Sequence, residues 1–339
     1  MAALPLSPTL FFDTINAFQR AAALNTAIEL KLFTAISEGH DTPEKLASRC
    51  QTAVRGARIL ADYLVVIGFL TKNAGRYGLT PDSAAFLVEG TRTYVGGAAL
   101  FLYDQRQRDV CADLTARVRR GGAPPDGDHV LDPESDVWVK FARGMAGMMT
   151  LIAQMLARKL IVGNAATQPL KVLDIAAGHG LFGAFIAREN PQARIVAQDW
   201  GNVLEVAKEN AEKFGVASRF EYLPGSVFDV DFGTGYDLVL VTNILHHFDP
   251  PTNEKLMRKV YAALKPGGRA ATLEFIPNDD RITPPNSAAF ALIMLAGTPG
   301  GDAYTFRELH QMMQNAGFAR SECLDLAPTL QRVVISHKA

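Results

Sequence analysis

An acid followed by spaced glycines, Asp174-Ile-Ala-Ala-Gly178-His-Gly180-Leu-Phe-Gly183, is the strongest chemical signal in the chain. Gly178 and Gly180 let the backbone approach a ligand where a strand gives way to a helix. The spacing Gly178-x-Gly180-x-x-Gly183 also fits a dinucleotide fingerprint, with Asp199 downstream to hold a ribose. Asp174 separates the two readings. A pyrophosphate there would meet like charge, whereas a ligand bearing ammonium and sulfonium groups would be favoured. The neighbouring residues suit such a ligand, S-adenosylmethionine. Asp199 can accept from both ribose hydroxyls, and Trp200 can cover an adenine ring. Gly225-Ser226-Val227-Phe228 falls after a third strand, where the adenine edge would lie, and Thr242 and Asn243 at the end of a fourth complete the expected cofactor set.

These residues need a scaffold, and from Lys171 onward the pattern supplies one. Apolar runs at Lys171–Ile175, Arg194–Gln198, Arg219–Leu223, Tyr236–Val241, Arg269–Phe275, Arg320–Leu324 and Gln331–Ser336 read as strands. Helical stretches alternate with most of them, at Leu181–Glu189, Asn202–Phe214, Asn253–Leu264 and Phe306–Ala316. Alternation of this kind implies an α/β fold with a parallel sheet covered on both faces, binding ligands beyond the carboxyl ends of its strands. Only Ala327-Pro328-Thr329 joins the last two runs, which predicts a closing hairpin. Lys265-Pro-Gly-Gly reads as a tight turn into the fifth strand.

The N-terminal third reads as helical. Phe11, Ile15, Phe18 and Ala22 recur at helical spacing, and a second periodic segment runs from Leu24 to Ile36. Asp41-Thr42-Pro43-Glu44 is a helix start. A third helix from about Thr52 to Gly68 carries Ile59, Leu60, Tyr63, Leu64 and Ile67 on one side, and a short hairpin follows around Ala74-Gly75. That order is a winged helix-turn-helix. Residues 1–100 hold nine basic against eight acidic residues, too even for phosphate-driven binding, so a dimerisation role is expected over DNA recognition. Further helices occupy residues 96–165, interrupted by Gly121–Asp128, and carry the stripe Trp138, Phe141, Met145, Met148, Met149 and Ile152. The stripe suits core packing or an adaptable pocket wall. Val162–Pro169 is the expected linker, giving three segments at 1–95, 96–165 and 166–339.

Composition narrows the class. The chain has 339 residues, is 48% hydrophobic and has a net charge of −1, which argues against a disordered or a basic nucleic-acid-binding protein. The apolar stretch Gly144–Ala157 is too short to span a bilayer, and the N-terminus lacks the basic stretch of a secretory signal. Cys50, Cys111 and Cys323 have no zinc or disulfide spacing, so a cytoplasmic protein is expected.

The ordered set Asp174-Ile-Ala-Ala-Gly-His-Gly, Gln198-Asp199-Trp200, Leu245-His246-His247-Phe248, Leu264-Lys-Pro-Gly-Gly and Thr298-Pro-Gly-Gly resembles the two-domain small-molecule O-methyltransferases of the class I S-adenosylmethionine-dependent fold. The resemblance covers nearly the whole chain. It implies a Rossmann-like seven-stranded sheet, a winged-helix dimerisation domain, a homodimer and a small-molecule acceptor. It further implies His246 as general base for the acceptor hydroxyl, with Glu274 as an orienting acid. Phe141, Met145, Met148, Met149, His247, Phe290, Met294 and Tyr304 are expected around the acceptor. The chain departs from the family pattern at three places: Ala176 replaces the first glycine, Ser226 an acid near adenine, and Ala303 a second acid beside the base. No metal is expected, because His246, His247 and Asp249 lack further ligands.

Overall fold

The structure, a computed structural model, describes residues 6–125 and 136–339. The end of the predicted break at Gly121–Asp128 lies outside the described residues. The chain forms two compact units, Met1–Asp104 and Gln105–Ala339.

In the first unit the hairpin β1 (Leu70–Asn73) and β2 (Arg76–Leu79) follows the helix Val54–Val66. Ala74 and Gly75 both have positive φ, 46° and 77°, the twist that a two-residue hairpin turn requires. Thr42 caps the helix Pro43–Cys50 by accepting from the N–H of Lys45, as its position before proline predicts. The periodic segment from Leu24 to Ile36 is two helices, Ala17–Glu29 and Leu32–Ser37, because Lys31 turns into the left-handed region at φ 54°. The third helix buries Ala57, Ala61 and Leu64, with the expected Leu60 and Ile67 packed against the same cluster around Leu32, Phe33 and Leu46, while Ile59 stays 42% exposed. Phe11, Ile15 and Phe18 span two short helices, Thr9–Ile15 and Ala17–Glu29, and all three are exposed.

The second unit holds a seven-stranded sheet. Its strands are β3 (Leu170–Ile175), β4 (Ala193–Asp199), β5 (Phe220–Pro224), β6 (Tyr236–Thr242), β7 (Leu264–Glu274), β8 (Arg320–Asp325) and β9 (Arg332–His337). They lie in the order β5-β4-β3-β6-β7-β9-β8. The first five are parallel; β9 runs antiparallel to both β7 and β8, the predicted closing hairpin. Strand β7 begins at Leu264, so Lys265-Pro-Gly-Gly is an irregular start to the strand, with the register shifting between Tyr236 and Leu238. The chain order reverses between β3 and β6, opening a crevice at the carboxyl ends of the strands. Near-continuous burial of β3 and β6 matches a sheet covered on both faces. No helix among the described residues is long and apolar enough to cross a membrane.

Candidate active site

At the reversal, the turn after β3 is tied to the end of β4. Ala177 N–H donates to the Gln198 carbonyl at 2.9 Å, Ala176 N–H to Gln198 Oε1 at 3.2 Å, and Gly178 N–H to Asp199 Oδ2 at 2.7 Å. Asp199 Oδ1 accepts from Trp200 N–H at 2.7 Å. Each carboxylate oxygen keeps a further lone pair for a ligand hydroxyl. Burial raises the Asp199 carboxyl to about 6, opposed by those two backbone donors. The turn requires glycine at Gly180, where φ is +68° and a Cβ would stand 2.8 Å from that of Ala207. Ala176 adopts φ 48° where the related pattern carries glycine.

A cavity of about 340 Å³ opens over this turn, within the range of small-molecule sites. Gly178, Asp199, Trp200, Gly225, Ser226, Val227, Phe228, Thr242 and Asn243 all line it, as do Phe141, Met149 and His247. The other expected residues lie elsewhere. Gly180 acts through the turn. His246, Glu274, Met145, Met148, Phe290, Met294 and Tyr304 are not on the cavity wall; His246, Glu274, Met145, Met294 and Tyr304 are buried. The Tyr304 hydroxyl is taken up by the Phe248 carbonyl at 2.6 Å. Phe290 packs edge-on against the His246 ring at 4.9 Å and stacks on Phe275 at 4.3 Å.

Asp174 corrects an expectation. It is fully buried and absent from the cavity wall, with Oδ2 accepting from Gly183 N–H at 3.0 Å in the first turn of the helix Leu181–Glu189. Its Oδ1 is buried without a hydrogen-bond partner, and burial lifts the carboxyl to about 8. Asp174 therefore does not reach the cavity and, keeping its proton at neutral pH, adds no charge to it. Asp199 and Asp229 line the cavity, and among the described residues no lysine or arginine is on its wall. An acidic wall of this kind suits a sulfonium cation better than a pyrophosphate.

Asp229, Gln198 and Trp138 are wall residues absent from the expected cofactor and acceptor sets. The signal for Asp229 was present: an acid stands three residues after Ser226, the position where an adenine-binding acid was missing.

His246 follows β6 in a short 3-10 turn, Leu245–His247, and is 7% exposed. Its Nδ1 lies 2.6 Å from Glu274 Oε2, while Glu274 Oε1 accepts from the N–H groups of Ile244 at 3.0 Å and Leu245 at 2.9 Å. One carboxylate thus fixes both the imidazole and the loop carrying it. Asn253, buried in the helix Pro250–Ala263, donates to the carbonyls of Leu245 at 2.9 Å and Phe248 at 3.1 Å. A neutral His246 donating Nδ1–H to Glu274 would leave Nε2 as a proton acceptor. Ala303 is buried, and Asp302 beside it turns away to Arg281 at 3.0 Å, so the acid bonded to His246 is Glu274.

Residues 128–319 match the O-methyltransferase domain family, and residues 12–89 match the O-methyltransferase dimerisation domain. A putative O-methyltransferase from Nostoc punctiforme shares 51% identity over 99% of this chain and 100% of its own, with a TM-score of 0.93. A Streptomyces sahachiroi protein, 3-hydroxy-5-methyl-1-naphthoate 3-O-methyltransferase, is 28% identical over 98% of this chain and 96% of its own. Human N-acetylserotonin methyltransferase in complex with S-adenosylmethionine shares the fold at 20% identity, with a TM-score of 0.86 over 100% of this chain and 99% of its own.

Proposed function

The chain belongs to the O-methyltransferase family, and from that premise we propose that it methylates a hydroxyl of a small acceptor with His246 as general base. The enzyme uses S-adenosylmethionine, which supplies an electrophilic methyl group on a sulfonium. Asp199 would hold the ribose hydroxyls and the Gly178 turn would lie close to the ligand. Trp200 and Val227–Phe228 would enclose the adenine, with Asp229 taking over from Ser226 as the nearby acid. Thr242 and Asn243 would border the cofactor from the end of β6. The observation that carries this reading is the His246–Glu274 pair at 2.6 Å at the carboxyl end of that strand.

In this scheme Glu274 holds the His246 ring with Nδ1–H inward, and Nε2 removes the acceptor proton. Glu274 also stabilises the imidazolium that results. A base of this type contributes roughly 10²–10⁴-fold, the remainder coming from alignment of the reacting groups. With a single flanking acid, the base suits a phenol or enol better than an aliphatic alcohol. Trp138, Phe141, Met149 and His247 would border the acceptor, which accords with a largely apolar ring system. The reading includes a homodimer through the N-terminal unit and a cytoplasmic setting, which three free cysteines favour.

Calorimetric titration with S-adenosylmethionine, followed by transfer of its labelled methyl to a phenolic panel, tests this function. His246→Ala should bind the cofactor as the wild type does and lose transfer. Retained transfer removes His246 as the base.

A further inference from the structure

Resting on that reading, we propose that His247 is a second, donor-type imidazole that selects acceptors carrying an oxygen next to the hydroxyl that His246 deprotonates. The argument starts from two orphaned atoms. Trp138 Nε1 and His247 Nδ1 are both buried and both without a hydrogen-bond partner. Their rings meet edge to face, with centroids 5.6 Å apart at 83°. An indole nitrogen can only donate, and a neutral imidazole has one nitrogen that must accept. Buried polar groups of this kind are normally paired, and the two needs are complementary. Pairing of the indole N–H with His247 Nδ1 would satisfy both atoms and fix the His247 proton on Nε2.

His247 must be neutral for this arrangement. Burial and the adjacent His246 ring, 4.2 Å away, both hold its pKa well below the ordinary range. The two neighbouring imidazoles then have opposite hydrogen-bonding character. His246, with Nδ1–H given to Glu274, presents a lone pair. His247, with Nδ1 occupied by Trp138, presents an N–H, and His247 lines the cavity. With His247 on the wall and the His246 ring 4.2 Å from it, the pair would address neighbouring atoms of one ligand: a hydroxyl that loses its proton, and beside it an oxygen that accepts a hydrogen bond. A ligand lacking the second oxygen leaves the His247 N–H desolvated and unpaired, the situation that gives polar sites their strongest discrimination.

The test compares 1,2-, 1,3- and 1,4-dihydroxybenzene, which share composition and differ only in oxygen spacing. Binding is measured calorimetrically to protein saturated with S-adenosylhomocysteine, after a separate S-adenosylmethionine titration that reports on the methyltransferase reading itself. The 1,2-isomer should bind about tenfold or more tightly than the 1,4-isomer. His247→Phe should reduce that preference to less than about threefold. Nitrogen-15 spectra of labelled histidine should show His247 with a protonated Nε2 and a bare Nδ1, and Trp138→Phe should mix the tautomers. Equal affinity for the three isomers, undetectable binding of all three, or a proton on His247 Nδ1 overturns the proposal.

Discussion

Gly301 stands so close to the carbonyl oxygen of His246 that a Cβ on it would lie 2.1 Å from that oxygen. The same Cβ would meet Thr298 Oγ1 at 2.7 Å, and that hydroxyl already accepts from Gly301 N–H at 2.8 Å. The Thr298-Pro-Gly-Gly turn therefore packs its backbone directly on the His246 loop. Gly301→Ala should push His246 out of alignment, lowering kcat by about tenfold or more through misplacement alone. S-adenosylmethionine affinity should change little. An unchanged kcat in a folded variant would show that the loop yields without cost.

Glu274→Gln separates the two duties of that side chain. The amide oxygen can still accept from Ile244 and Leu245 N–H, but the charge opposite His246 is gone. With the ring still placed but its charged partner removed, kcat should fall roughly 10- to 100-fold while S-adenosylmethionine affinity holds. A variant that turns over like the wild type would sink this assignment.

Asp174 makes the fold sensitive to alkali. Its folded pKa, about 8, lies above the ordinary 3.8, so the folded chain keeps a proton that the unfolded chain releases. The stability of the ligand-free protein should therefore fall as pH rises between about 4 and 8. Asp174→Asn should flatten that decline in thermal melts, and S-adenosylmethionine should lessen it in the wild type by favouring the ionised carboxylate. Parallel melting curves for wild type and variant across this range would contradict the idea.

Ala176 holds a left-handed conformation, φ 48°, in which a Cβ costs roughly 1–2 kcal/mol. Ala176→Gly relieves that strain and loosens the unfolded chain, for a net gain of at most about 1 kcal/mol. Denaturant titration reads the change directly, and destabilisation would mean that the alanine methyl is worth more than its strain.

Much of this architecture was legible because the sheet is parallel and buried: its strands appear as short apolar runs, and periodicity locates them within a few residues. The glycine turn, Asp199 and the wall from Gly225 to Phe228 were readable for the same reason, since the ends of strands are where such a fold presents its groups. Direction was not readable. Nothing in the spacing reveals that Asp174 points beneath the helix, towards Gly183 N–H, and away from the cavity. Helical periodicity also runs unbroken across Lys31, although the backbone there turns left-handed. The Met-rich stripe left core packing and a pocket wall equally open, and helical geometry divides them: Met149 reaches the cavity while Met145 is buried away from its wall. Phe290, Gly301 and Tyr304 contact the loop at 246–248 through long-range packing that no local pattern encodes.

The aromatic and aliphatic side chains near the N-terminus have a practical consequence. Leu10, Phe11, Phe12, Ile15 and Phe18 stand 55–79% exposed along two consecutive helices. Left bare, greasy ridges of this sort adhere to one another and to vessel walls.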